Sequence, residues 1–333
     1  MPPKRKPFKI YFRALAPVAL MLFLATGAMT VWLVRRTVYP QSSGYLVTPD
    51  GFRELDARGL KVTNETWANA DDMMARGWLL RGDEGAPAVV LLHSYDTDRS
   101  WLLNLGVTLN ALTNYTVLWT DSRGHGPKPP IKWTSFGTQE AEDAASAVKF
   151  LRSLKTAGDQ PFVSNSIGMY GLEMGGYAAL FAAAKPENAN VRALVLDSVP
   201  RTPEYILQKS LTHHIGSDNE AFRFLARLGA KIYLRRQYVD TPACNAAGQL
   251  RNRSILLLSG TDEPNLRAMT EELRGCLPLQ NQIEKHDNLA RTGFSLPYLP
   301  GPQGDAYNQL VISFFKDTLN SPEISPRFRF PAK

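Results

Sequence analysis

Hydrophobic positions along the chain fall into three regimes. Residues 14–34 form one uncharged, predominantly apolar run of 21 residues, which at 1.5 Å per residue is about 30 Å of helix, the thickness of a bilayer core. Residues 37–57 break the pattern with Pro40, Gly44 and Pro49 and read as a linker. From residue 58 to about 320 the pattern is that of a folded domain. Two strand-like stretches at 59–66 and 73–81 predict an antiparallel pair. Short continuous apolar runs then recur at 88–93, 116–121, 167–171, 191–197 and 254–260. Such runs are what strands buried on both faces of a parallel sheet require. A further strand is predicted at 281–286.

Helix-length segments separate the runs at 98–112, 139–154, 173–184, 265–273 and 305–319. The second places Ala141, Ala144, Ala145, Val148 and Leu151 on one stripe, with Glu140, Glu142 and Asp143 near its start, where the helix dipole favours acids. This alternation predicts an α/β fold, a doubly wound and mostly parallel sheet with helices on both faces. Residues 199–253 interrupt it, with a helical stretch around 219–236, and are expected to form a helical cap over the carboxyl ends of the strands. Residues 321–333 read as a tail.

Charge changes the picture only once it is located. The formal net charge is +7. Lys4, Arg5, Lys6, Lys9, Arg13, Arg35 and Arg36 all fall in residues 1–36, where there is no acid, leaving 31 basic against 31 acidic residues in the remainder. A neutral body has no electrostatic footprint for a phosphate backbone, so nucleic acid is not an expected partner. Five cations precede the apolar run and two follow it. This predicts a single-pass anchor with a cytoplasmic amino terminus and a periplasmic or extracellular domain. A cleaved signal peptide is the competing reading, with Ala25-Thr26-Gly27 as a weak site, but the apolar run continues well beyond it. Cys244 and Cys276 are the only cysteines. An oxidising compartment permits a disulfide between them, and their spacing leaves two free thiols equally open. None of the five histidines sits in a zinc-binding pattern, and no cofactor motif is present.

Four local patterns carry chemistry. Gly171-Leu172-Glu173-Met174-Gly175-Gly176 follows a predicted strand and opens a predicted helix. His93-Ser94-Tyr95 ends a buried strand. Asp121-Ser122-Arg123-Gly124-His125-Gly126 follows the next one. Asp262 lies just past a buried run, and His286 closes the last strand-like stretch. Together they resemble the α/β-hydrolase superfamily, in particular its membrane-anchored or secreted esterase and serine-peptidase-like members, over about residues 59–319. The resemblance implies that the glycine-rich turn is the nucleophile elbow, G-x-S-x-G in the family. It also implies that the backbone amides of Tyr95 and Met174 form the oxyanion hole, and that Asp262 and His286 are acid and base. His93 and His125 are implied to be structural. Two residues depart from the family: Ser94 replaces a glycine in the oxyanion loop, and Glu173 replaces the nucleophilic serine.

A glutamate cannot perform the serine reaction. It has no hydroxyl proton for a histidine to remove, it is a weak nucleophile toward esters, and it projects into the space an oxyanion would occupy. Three readings follow. The protein keeps the fold without the reaction, as a binding or scaffold module. Alternatively, Glu173 attacks an sp³ carbon as aspartate does in haloalkane dehalogenases and epoxide hydrolases, although its extra methylene displaces the attacking oxygen by about 1.5 Å. Met174 also stands where halide-binding members carry tryptophan. Thirdly, Glu173 and His286 position water for general-base hydrolysis of a small ester-like ligand. In each reading Glu173 is expected to face His286 and Asp262 in one cleft, with the histidine held between two carboxylates.

Overall fold

A computed structural model of the chain describes residues 8–40, 44–52, 55, 58–216, 218–291, 293 and 301–320. Its centre is an eight-stranded sheet: β1 (Val62–Ala68), β2 (Met74–Leu80), β3 (Ala88–Leu92), β4 (Thr116–Thr120), β5 (Ile167–Leu172), β6 (Val191–Asp197), β7 (Ser254–Gly260) and β8 (Gln282–Leu289). The order across the sheet is β1-β2-β4-β3-β5-β6-β7-β8. β1 and β2 pair antiparallel, β2 joins β4 antiparallel, and every later pairing is parallel. The expected doubly wound sheet is therefore present. All residues of β3, β4, β5 and β7 are buried, which is why those segments read as unbroken apolar runs.

Helices α1 (Phe8–Val38), α2 (Leu103–Thr113), α3 (Thr138–Ser153), α4 (Met174–Ala183), α5 (Pro203–Ile215), α6 (Glu220–Leu234), α7 (Ala243–Ala247), α8 (Pro264–Cys276) and α9 (Pro302–Leu319) complete the chain. One apolar core lies between the sheet and α3, α4, α7 and α8. A second lies on the opposite face, between the sheet, α2 and α9. α3 buries Ala141, Ala144, Ala147, Val148 and Leu151 along one stripe. Its amino terminus is fixed by Glu140, whose carboxylate accepts from the Ser135 and Gly137 amides and from the Thr134 and Ser135 hydroxyls.

α5, α6 and α7 form the insertion between β6 and β7. Cys244 of α7 is disulfide-bonded to Cys276 at the end of α8, which fastens one end of the insertion to the main domain.

α1 is long and apolar enough to cross a membrane over Leu15–Val38. It does not give way to a free linker after residue 36. Leu33, Val34, Thr37 and Val38 are buried, and the three apolar residues pack in a third cluster with Tyr95, Phe136, Met174, Ile206, Leu207, Leu211, Ala226 and Ala230. The linker reading missed this because Pro40 and Gly44 suggest a break, whereas Val34 and Val38 find apolar partners on the insertion. Tyr45 is also engaged, its hydroxyl donating to Asp121 at 2.7 Å. The predicted tail at 321–333 lies outside the described residues.

Candidate functional site

The turn from β5 to α4 is very tight. A Cβ on Gly175 would lie 2.6 Å from the carbonyl oxygen of His93 and closer still to that of Leu92, and one on Gly176 would lie 2.9 Å from the carbonyl oxygen of Gly171. Only glycine lets the turn pass so close to β3. Glu173, between strand and helix, has φ 48° and ψ −107°. A non-glycine residue there is strained by about 1–3 kcal/mol, and the surrounding structure holds it: its amide donates to the Asp197 carbonyl at 2.9 Å, and its own carbonyl accepts from Tyr177 at 2.9 Å.

The Glu173 side chain is buried, 3% exposed. The Tyr95 amide, one of the two donors expected to form the oxyanion hole, favours the charged form of its carboxylate. Oε1 of Glu173 lies 3.2 Å from Nζ of Lys209 on α5, and the same ammonium is 3.2 Å from Oε1 of Glu263. Burial pushes the Glu173 carboxyl up from its ordinary range; Lys209 and the Tyr95 amide oppose that shift. The two carboxylates in turn hold the Lys209 ammonium above its ordinary value against the opposing effect of burial.

The loop after β3 is rigidly organised. The Ser122 amide donates to Nε2 of His93 at 3.0 Å, so Nδ1 carries the proton and donates to the Ser94 carbonyl at 2.7 Å. His125 is held in the same way, accepting from the Asp96 amide at 3.0 Å and donating to the Arg123 carbonyl at 2.6 Å; burial lowers its pKa to about 3. Both histidines are neutral struts. The Ser94 hydroxyl lies 3.1 Å from that of Thr97. The Tyr95 hydroxyl donates to the Thr37 carbonyl of α1 and accepts from Ser210 of α5, each at 2.8 Å. Arg123 forks onto both oxygens of Asp143 at 2.6 Å and reaches Asp71 at 2.7 Å, which fixes the turn after β4.

The remaining expected partners do not meet Glu173 in the predicted manner. β8 does not close at His286 but continues to Leu289. His286 is a half-exposed ladder residue opposite Leu258, with Nε2 2.7 Å from the Glu284 carboxylate. Its carboxylate partner lies two residues away on the same face of its own strand, because side chains at that spacing point the same way. Asp262 is exposed in the turn after β7, and the next residue, Glu263, is the one that reaches Lys209. The Glu173 charge is therefore matched by Lys209, where His286 was expected.

A second buried acid adjoins the elbow. Asp197, at the end of β6, accepts from Tyr307 at 2.6 Å, from the Gly293 amide at 3.0 Å and from Ser198 at 2.7 Å; Tyr307 in turn lies 2.7 Å from the Tyr170 hydroxyl. Burial raises its pKa, which these three donors oppose. Asp197 was passed over because Asp-Ser at the end of an apolar run has no motif. Lys209 was passed over because a lone cation on an insertion helix has no spacing signal. Among the described residues, the grouping able to hold a cation is Asp96, His213 and His214, whose donor atoms lie within 4.8 Å of one another.

With this geometry in place, known structures supply the frame. The chain has the α/β-hydrolase fold. It is similar to esterase Pf2001 of Pyrococcus furiosus, with a TM-score of 0.62 at 18% identity over 85% of this chain and 99% of that one. Dienelactone hydrolase of Anabaena variabilis gives 0.54 at 15% identity, over 78% and 99% of the two chains. The acylaminoacyl peptidase of Pyrococcus horikoshii gives 0.54 at 14%, over 84% of this chain and 45% of its own. No protein-family model and no curated protein sequence matches the chain. Glu173 is the strained residue between the buried strand β5 and α4.

Proposed function

We propose that this is a membrane-anchored α/β-hydrolase-fold protein that does not carry out serine-type ester hydrolysis and acts instead as a binding or scaffold module. One observation carries the reading. The Glu173 carboxylate pairs with Lys209 at 3.2 Å and the Tyr95 amide favours its charged form, so a resident anion already stands beside a donor that would stabilise a developing oxyanion. Catalysis of acyl transfer depends on such donors being free for charge that appears in the transition state. A carboxylate beside those donors in the ground state opposes the build-up of a second negative charge there, and its lack of a hydroxyl removes the nucleophile. The Lys209 pair also gives Glu173 a structural task, tying α5 to the elbow.

One feature favours an active alternative: burial raises the Glu173 pKa, the direction expected of a general base for water. Assays of the full chain against 4-nitrophenyl esters, epoxides and haloalkanes separate the two. The binding reading expects no saturable turnover by wild type, and none lost in Glu173→Gln. Saturable hydrolysis that Glu173→Gln abolishes would overturn it and make Glu173 catalytic. Glu173→Ser restores the hydroxyl, yet His286 is engaged by Glu284, so turnover by this variant is expected to stay far below that of a serine esterase.

A further inference from the structure

The sequence assigns the membrane to α1 alone. α6 has the features of a second contact. It packs directly on α1: a Cβ on Gly229 would lie 2.5 Å from Cγ2 of Val34 and 2.7 Å from Cγ2 of Thr30. Both partners belong to the uncharged run that ends at Val34, before Arg35. Thr30 lies about 6 Å along the helix axis from that end, so the middle of α6 is level with the final turns of the apolar run.

α6 also has the surface for this position. Ala226, Gly229, Ala230 and Leu234 are buried toward the protein, whereas Phe224, Leu228 and Ile232 form an i, i+4, i+8 stripe exposed by 53%, 42% and 66%. On the packed partner α1, Val31 and Trp32 are likewise exposed. Polar markers of a membrane–water boundary surround it. The Tyr233 and Tyr39 hydroxyls touch, Arg36 lies over the Trp32 ring, and Arg35, Lys231, Arg235 and Arg236 are exposed at the same end. Aromatic rings with flanking cations are characteristic of that boundary.

We infer that α6 lies in the surface of the leaflet through which α1 leaves the bilayer, with Phe224, Leu228 and Ile232 among the acyl chains and the cations toward anionic headgroups. The inference rests on α1 being membrane-spanning. An apolar face sunk about 5–10 Å into the headgroup boundary is what an interfacial helix of this composition adopts, and the contact with Thr30 places α6 at that depth. Because Lys209 on the neighbouring α5 holds Glu173, the leaflet would adjoin the insertion that covers the elbow.

The test uses the full chain in phosphatidylcholine vesicles containing phosphatidylglycerol. An environment-sensitive fluorophore is placed at Leu228→Cys, Phe23→Cys or Leu279→Cys, with spin-labelled lipids as quenchers; the native cysteines are disulfide-bonded and do not label. The label at 228 is expected to be blue-shifted and to lose about half its emission to a shallow quencher, and the label at 279 to do neither. A water-like, unquenched label at 228 beside a quenched one at 23 overturns the inference and leaves the anchor standing. A label at 228 that is blue-shifted yet unquenched also overturns it, because protein, such as a second copy, then covers the stripe. If the label at 23 is unquenched too, the anchor reading itself falls, and this inference with it.

Discussion

Lys209→Met isolates the charge at the elbow. The substitution keeps the length and apolar stem of the side chain and removes the ammonium that lies 3.2 Å from Glu173. At that separation the attraction is about 5 kcal/mol at an effective dielectric of 20 and about 1 kcal/mol in water. Lys209 is 35% exposed and shared with Glu263, so solvent screens part of it; Glu173 is 3% exposed and has no such relief. Breaking a buried pair by removing one partner costs about 3–5 kcal/mol, and the exposure of Lys209 brings the expected loss to about 2–3 kcal/mol. For a domain of this size that is a Tm fall of roughly 5–10 °C, measurable by circular dichroism of the full chain in detergent. In Glu173→Gln the buried charge is absent, so adding Lys209→Met there should cost much less, giving a coupling of about 2 kcal/mol. The pH dependence follows from the raised Glu173 pKa. A carboxyl raised in the folded state costs stability above its folded pKa, and the cost disappears as the pH falls toward the unfolded value. Removing Lys209 raises the folded pKa further, so the deficit of Lys209→Met should narrow from pH 8 to pH 5. A deficit below about 0.5 kcal/mol, or one independent of pH, would refute the assignment of Lys209 as the counter-charge.

Three other substitutions test the scaffold around the site. Gly175→Ala forces a Cβ against the Leu92 and His93 carbonyls, which belong to backbone that cannot move aside; a loss of about 3 kcal/mol or more is expected, seen as failure to accumulate folded protein. Cys244→Ser opens a bridge between residues 32 apart, which by the chain-entropy relation lowers stability by about 4 kcal/mol, and adding reductant to wild type should shift Tm by a similar amount. Arg123→Lys keeps the charge but loses the fork onto Asp143 and the reach to Asp71; about 2 kcal/mol should be lost in chemical denaturation, and a wild-type stability would show the fork to be dispensable.

The parts of the molecule that could be read from the sequence share one physical property: their signal is local. β3, β4, β5 and β7 are buried on both faces and therefore unbroken in hydrophobicity. Gly171, Gly175 and Gly176 mark the elbow because a Cβ at any of them meets backbone. His93 and His125 are implied to be structural by the motifs that carry the family resemblance, and each is fixed at both nitrogens. The charge balance at the site was not local. Lys209 and Glu263 are 54 residues apart in a chain that folds an insertion back over the sheet, and nothing in either neighbourhood announces the other. Likewise, Asp262 and Glu263 are adjacent acids, and only the direction of the turn after β7 decides which carboxylate faces Lys209.

The strain at Glu173 bears on what holds this turn in place. A positive φ of 48° is costly for any residue with a Cβ, and in a hydrolase that cost serves to present a nucleophile. Here the conformation is imposed from outside the residue: β5 lies against β3 and β6, the glycines allow α4 to start immediately, and backbone bonds to Asp197 and Tyr177 close the turn. Such a turn places whatever side chain it carries beneath the insertion, beside the Tyr95 amide. A serine there would be too short to reach across to α5, whereas glutamate, two atoms longer, meets Lys209 at 3.2 Å. In the proposed reading the elbow is an anchor point between sheet and insertion, held by an ion pair that a serine could not make. On this argument Glu173→Ser should relax the hold on α5 even where the fold survives. Hydrogen exchange of α5 amides should then speed up about tenfold or more, corresponding to the loss of at least 1.4 kcal/mol of local stability, and unchanged exchange would show that the pair does not hold the insertion in place.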